Sequence, residues 1–401
     1  MRPRLGVVIS HPIQHFAPVY LELASRNNIG LRVFYGSDAG ARSFHDRGFG
    51  RDVQWDIDLL SGYNSVILTP GAPVGGAHSR RLNSPRLTEE LNRYDPDVVL
   101  LYGYASRMQW RAWNWARMQR KGILYFSDTN VIQNRSFARR MLKRIALKVY
   151  FGRVSVFLAV GDRNIDYLLQ YGASPERIIR CPLTVDIGRF RQVLEGDWQE
   201  RRQGIRRQRF GLPAGSGFVV GFAGKMTSIK RPRDVLEAVC RLKGQGRVVQ
   251  ALMVGSGPLL EDMKRYAEQG GIAAQISWTG FINQSEIPTM YASCDALVLS
   301  SDRDNHPLAV TEAAACGLPV IVSDRAGCVG PTDTARHGEN AIVYPCGDVK
   351  ALAAAITRLM DDPVEYARMA QRSLEIAETQ DVPVAAQAIE QAVLTARICR
   401  T

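Results

Sequence analysis

Short runs of β-branched and aromatic residues alternate with helix-length amphipathic segments along the whole chain. This is the pattern of doubly wound α/β domains, in which each buried strand leads into a helix that covers one sheet face. In the first half the runs predict strands at Leu5–Ser10, Leu31–Tyr35, Val98–Tyr102, Ile123–Phe126 and Val156–Val160. In the second half they predict strands at Val219–Phe222, Val249–Val254, Ile276–Thr279, Ala296–Leu299 and Val320–Val322. The pattern breaks near Asp186–Gly217, a polar, Arg-rich stretch that ends in the turn-forming GLPAGSG. A length of 401 residues suits two domains of ordinary size. The expected organisation is a first Rossmann-like domain over 1–190, a connecting region over 191–216 and a second Rossmann-like domain over 217–380. The last stretch, 381–401, is Ala-rich with helical periodicity over Val382–Ile398 and could pack back on either half, the first domain being one candidate.

Composition narrows the class. With 46% hydrophobic and 22% charged residues the chain can bury a large core, which excludes disorder. No apolar run approaches the roughly 18 to 20 residues that cross a bilayer. The seven cysteines are scattered and never spaced as Cys-x-x-Cys, so neither a disulfide framework nor a zinc site is expected, and a reducing cytoplasm fits.

The net charge of +12 attracts polyanions without naming one. It concentrates in 135–148, where Arg135, Arg139, Arg140, Lys143, Arg144 and Lys148 stand with no acid. On a helical wheel Phe137, Met141, Leu142, Ile145 and Val149 fall on one side, expected to face the core. Arg139, Arg140, Lys143 and Arg144 fall on the other, either solvated or laid against anionic lipid at the cytoplasmic membrane face.

The stretch SSDRDNHPLAVTEAAACGLPVIVSDRAG, residues 300–327, carries the chemistry. A buried-type strand leads into a polar loop, Ser300–His306, and Pro307 then precedes a helix that runs past Glu312 to about Cys316. Gly317 supplies the stop, and Pro319 leads into the next strand. Open parallel sheets bind ligands at the carboxyl ends of their strands, and a helix start there offers free N–H groups to an anion. Asp304 on the loop and Glu312 on the helix can therefore face one pocket.

These residues resemble the signature of family-four retaining glycosyltransferases of the two-domain B fold, two acids separated by seven residues and followed by a small-residue helix, Gly-x-Pro and a strand. Asp304 stands where the family usually has Glu. A second element, GFAGKMTSIKRPRDVLEAV at 221–239, resembles the family's Gly-Arg-(four residues)-Lys motif, with Lys225 at the Arg position and Lys230 at the Lys position. VGSGPLLEDM (254–263) and WTGFINQSEIPTMYASCDALVLS (278–300) resemble its glycine turn and its base-contacting loop.

The resemblance implies two Rossmann-like domains facing across a cleft and retaining transfer from a nucleoside-diphosphate sugar to a saccharide, lipid-linked or small-molecule acceptor. Lys225 and Lys230 then clamp the diphosphate, Asp304 meets the donor sugar and Glu312 the ribose. Gly224, Gly255, Phe281, Ile282, Asn305, His306, Pro307 and Leu308 line the donor. In the first domain His11, Gln14 and His15 lie at the end of the first strand, where they are candidates for hydrogen-bonding a sugar or an acceptor or for a packing role. Asp128 follows another strand, where the family often has an active-site His.

No resident cofactor or metal is expected, because the lysines neutralise the diphosphate. Asp302-Arg303-Asp304 matches a metal-binding acid pair no better than Asp56-Ile57-Asp58 or Asp95-Pro96-Asp97. His11 and His15 have helical spacing, but Pro12 argues against a helix there. Two rival readings stand: a sugar-nucleotide epimerase on the same fold, and a non-catalytic polyanion- or lipid-binding protein. Nucleic acid is not an expected partner.

Overall fold

The computed structural model describes residues 2–46, 48–131, 137–213, 215 and 217–398. The strands are β1 (Arg4–Ile9), β2 (Gly30–Tyr35), β3 (Phe44–Asp46), β4 (Arg51–Val53), β5 (Ser65–Ile67), β6 (Val98–Tyr102), β7 (Gly122–Ser127), β8 (Val156–Ala159) and β9 (Ile178–Arg180). They continue with β10 (Phe218–Ala223), β11 (Val249–Val254), β12 (Ile276–Gly280), β13 (Ala296–Leu299), β14 (Val320–Ser323) and β15 (Ala341–Tyr344). All ten strands expected from the sequence are present within one or two residues of their expected ends.

A seven-stranded parallel sheet has the order β5-β2-β1-β6-β7-β8-β9, and a six-stranded parallel sheet the order β12-β11-β10-β13-β14-β15. In each, the first strand lies between the second and the fourth. This is the doubly wound arrangement whose switch point opens a ligand crevice at the strands' carboxyl ends. In the second sheet that point lies between β10 and β13, in register at Val220 and Ala296. β3 and β4 form a separate two-stranded ribbon.

Two compact units result, one of residues 1–45, 52–184 and 381–401, the other of 46–51 and 185–380. The first unit's core joins strand residues such as Val99, Leu101 and Tyr125 to Leu87, Trp113, Tyr150 and Phe151 from its helices. The final helix, Val382–Ile398, packs in that unit on the helix Ala17–Arg26 and on β7 and β8. Residues 191–216 carry the helix Trp198–Phe210, whose Phe210, with Leu212, joins the second unit's core.

One expectation is corrected. In the helix Phe137–Phe151, Met141, Ile145 and Val149 are 43%, 63% and 69% exposed, whereas Leu147, Tyr150 and Phe151 are buried. The sequence offers two apolar stripes on nearly opposite sides of the helix, and the one carrying the aromatic rings takes the core, because rings remove more apolar area from water than Ile or Val. Lys143 accordingly lies against tyrosines, its ammonium 4.6 Å from the Tyr167 ring and 4.7 Å from that of Tyr171. Arg144 and Lys148 are exposed beside the apolar stripe. Arg135 and the side chains of Phe137, Arg139, Arg140 and Leu142 lie outside the described residues.

Candidate donor site in the second unit

The turn that follows β10 is built by two glycines of the neighbouring turn. Gly255 has φ +125° and Gly257 φ +151°. A Cβ on Gly255 would stand 1.9 Å from the Gly224 carbonyl oxygen, and one on Gly257 2.7 Å from that of Met226. Only glycine permits this approach. It lets the Gly224 N–H donate to the Val254 carbonyl at 3.0 Å and the Met226 N–H to that of Ser256 at 2.9 Å. The turn carrying Lys225 is thereby fixed to the end of β11.

Lys230 ends the same turn. Its neighbour Arg231 has φ +49°, a left-handed conformation that costs a non-glycine residue on the order of 1 kcal/mol or more. Two contacts hold it there. The Arg231 guanidinium makes a two-point pair with Asp234, at 2.8 and 3.0 Å. The Ser300 hydroxyl lies 2.9 Å from the Lys230 carbonyl and 2.8 Å from that of Arg231. Ser300 closes β13, so the cation turn and the acidic loop are tied across the switch point. The Lys230 ammonium then donates to the Asp304 carboxylate, joining two residues expected to act together.

The acidic loop is pinned from its other side. Asp304 makes a parallel bridge to Ala326, and the Gly327 N–H donates to the Asp304 carbonyl at 2.9 Å. His306 is buried, and its Nε2 meets Asp333 Oδ1 at 2.9 Å while Nδ1 has no hydrogen-bond partner. The His306 side chain thus serves the loop's anchorage. Asn305 and Leu308 are half-buried and Pro307 is buried. Pro307 is the cap residue of the helix Leu308–Ala315, one position before the expected first turn, and Gly317 follows its end at φ +73°.

Glu312 lies on that helix and accepts a hydrogen bond from the Tyr291 hydroxyl at 2.7 Å. Burial pushes its carboxyl up, opposed only in part by the Tyr291 hydrogen bond and the charge of Arg189. Tyr291, Arg189 and Asp333 were not among the residues singled out in the sequence. Tyr291 lies inside the quoted stretch 278–300 but nothing in that stretch marks its hydroxyl as the partner of Glu312, and Arg189 and Asp333 come from other elements.

Lys225 does not join the Lys230–Asp304 pair. Its ammonium lies 2.9 Å from both carboxylate oxygens of Asp46. Burial alone would raise the Asp46 carboxyl, but Lys225 and the N–H groups of Phe49 and Gly48 hold it below the usual carboxylate range. The Phe281 ring stacks edge-on with Phe49 at 5.1 Å between centroids, and Ile282 is half-buried beside the second unit's core. The involvement of 46–51 was also missed, since nothing in its composition marks it.

In the first unit the strand β1 ends at Ile9, and the loop 10–16 leads to the helix starting at Ala17, so His11 and His15 share no helix. His11 Nδ1 is 2.8 Å from the Ser10 hydroxyl, His15 Nδ1 is buried without a hydrogen-bond partner, and Gln14 is half-buried between them. Burial lowers His11 to about 4; burial and the neighbouring His11 lower His15 to about 3. Asp128 is half-buried just past β7. Among the described residues no group of three or more His, Cys, Asp or Glu could hold a metal ion, and no helix is long and apolar enough to cross a membrane.

Residues 205–375 match the family described as "Glycosyl transferases group 1". The 2-deoxystreptamine glucosyltransferase of Streptomyces kanamyceticus is 32% identical over 157 residues, 39% of this chain and 40% of that protein. The alpha-D-kanosaminyltransferase of the same organism is 27% identical over 222 residues, 55% of each chain. The chain thus spans about half the length of the curated relatives it matches. The crystal structure of Anabaena HepE in complex with UDP and glucose superposes with a TM-score of 0.71 at 17% identity, over 97% of this chain and 99% of that one. The chain therefore has the B fold of glycosyltransferases, with two Rossmann-like domains, and over residues 205–375 it is similar in sequence to glycosyl transferases group 1.

Proposed function

We propose that the protein transfers a sugar from a nucleoside-diphosphate donor to a saccharide, lipid-linked or small-molecule acceptor, with retention at the anomeric carbon. The observation that carries this reading is the pair Lys230–Asp304 at the β10/β13 switch point, with Lys225 on the same turn and Glu312 on the helix beyond. As the glycosidic bond breaks, negative charge collects on the departing diphosphate, and preorganised ammonium groups stabilise it most at that moment. Asp304 keeps the Lys230 ammonium oriented before the donor arrives and offers a carboxylate to the sugar hydroxyls. Glu312 offers its carboxyl to the ribose.

The departing phosphate takes the acceptor's proton in this reading, so no protein base is assigned, and the two lysines neutralise the diphosphate without a resident metal. His11, Gln14, His15 and Asp128 in the first unit are our candidates for the acceptor. The UDP and glucose held by HepE support a nucleotide-sugar donor.

Proton NMR of the product formed from an α-configured UDP- or GDP-sugar with a panel of saccharide and polyprenyl-phosphate acceptors tests the proposal. An α-linked product is expected. A β-linked product overturns retention, and conversion of the donor without any acceptor favours an epimerase.

A second reading concerns the protein's surroundings. The exposed Met141, Ile145 and Val149 beside Arg144 and Lys148 suit an anionic membrane surface, where apolar side chains enter the headgroup region and cations meet phosphate.

A further inference from the structure

The excursion Asp46–Arg51 groups with the second unit although its chain neighbours on both sides belong to the first. Its contacts fall on Lys225, Phe281 and Ser256. The Asp46 carboxylate engages the Lys225 ammonium with both oxygens at 2.9 Å. The Phe49 ring lies 4.8 Å from the same ammonium and packs edge-on against Phe281 at 5.1 Å. The Phe49 carbonyl accepts from the Ser256 hydroxyl at 2.8 Å, on the glycine turn, and the Arg51 guanidinium stands 5.1 Å from the Phe281 ring.

The segment is shaped for this position. The Gly48 and Phe49 N–H groups donate to Asp46 Oδ1 at 2.8 and 3.1 Å, and the Gly50 N–H donates to the Asp46 carbonyl at 2.8 Å, closing a tight turn. That turn sets the acid and the ring on the same side. Gly48 faces the Lys225 stem so closely that a Cβ would stand 2.5 Å from its Cδ, so the absence of a side chain lets the turn lie flat.

An anion paired with the diphosphate cation, and an aromatic ring three residues on that packs against the base loop, reproduce the two recognition elements of a nucleoside diphosphate. We propose that Asp46–Arg51 is an internal occupant of the nucleotide site: Asp46 takes the diphosphate's place at Lys225 and Phe49 the base's place at Phe281, so this segment and the donor exclude each other. The inference rests on the donor-site reading above. A diphosphate brought to Lys225 with Asp46 still in place would set two anions around one ammonium, and like charges at such range repel. Binding therefore requires the segment to leave. The apparent dissociation constant is then the intrinsic one divided by the fraction of molecules in which the site is free.

Asp46→Asn keeps the oxygen that accepts the turn's N–H groups and removes only the charge, and Phe49→Ala removes the ring. Titration calorimetry of the full chain with UDP, GDP, ADP and TDP reads the consequence. At least threefold tighter binding of the preferred nucleotide is expected for each variant, and more for the double variant. In a Lys225→Ala background Asp46→Asn should lose its effect, because the charge it relieves is gone. Unchanged or weaker binding by Asp46→Asn and Phe49→Ala overturns the inference while leaving the donor site intact. No binding of any nucleotide by wild type and variants alike overturns the donor-site reading, and the inference with it.

Discussion

At the scale of single residues the proposed function rests most heavily on Lys230. The chain holds its neighbour Arg231 in a left-handed conformation and ties both carbonyls to Ser300 to present this ammonium at the switch point. Such a cation acts chiefly on the charge that develops as the sugar leaves. Lys230→Ala should lower turnover by on the order of 10²-fold or more, with a smaller change in nucleotide affinity and an intact fold. Wild-type turnover by the folded variant contradicts the clamp. Glu312→Gln should weaken nucleotide binding roughly fivefold to tenfold, since a charge-assisted hydrogen bond becomes a neutral one. Calorimetry that returns the wild-type affinity removes the ribose role.

His11 and His15 give a prediction of a different kind. Both are held below the unfolded value near 6.5, at about 4 and about 3. Between 6.5 and 4 the unfolded chain binds more protons than the folded one. The stability that these residues confer by staying neutral is complete above about pH 6.5 and is lost as pH falls through 4 and then 3. Each contributes at most about 1.4 kcal/mol per pH unit in that window. Urea midpoints at pH 7 and pH 5 should therefore differ, and the difference should shrink in the His11→Gln/His15→Gln variant. Equal pH dependence in both proteins contradicts burial of neutral imidazoles.

The elements show where a sequence speaks clearly and where it does not. Long buried strands such as Val249–Val254 read directly from their apolar runs, as did the final helix from its Ala-rich period. The strands Ser65–Ile67 and Ile178–Arg180 did not, because three half-buried residues leave no periodicity to detect. The strand–loop–helix unit that carries Asp304 and Glu312 was legible from its apolar run, its polar loop and its helix stop. Its hydrogen-bond partners Asp333 and Tyr291 were not, since pairing between separate elements leaves no local trace. The helix Phe137–Phe151 was assigned the wrong apolar face for a related reason: periodicity locates stripes but does not rank the ring-bearing one above the aliphatic one. Its exposed stripe carries the membrane reading. Replacing Met141, Ile145 and Val149 with Ser should reduce cosedimentation with phosphatidylglycerol vesicles severalfold, and replacing Arg144 and Lys148 with Gln should make the remainder less sensitive to salt. Binding unchanged by either set assigns that face to solvent.

For the whole molecule, the first strand of each sheet lies between the second and the fourth, and in the second sheet the cations follow β10 and the acid follows β13. Topology alone thus brings Lys225, Lys230 and Asp304, the diphosphate and sugar contacts of the proposed function, to the carboxyl ends of neighbouring strands. That juxtaposition is the centre of the account, and a ligand that binds only the folded chain must raise its unfolding temperature. The decisive measurement is the thermal unfolding of the full chain with saturating UDP, GDP, ADP or TDP, alongside the Lys225→Ala/Lys230→Ala double variant. The account predicts that one or more of the four raises the wild-type midpoint by several degrees and leaves the double variant almost unmoved. No shift with any of the four, or an equal shift in the protein lacking both lysines, would contradict it.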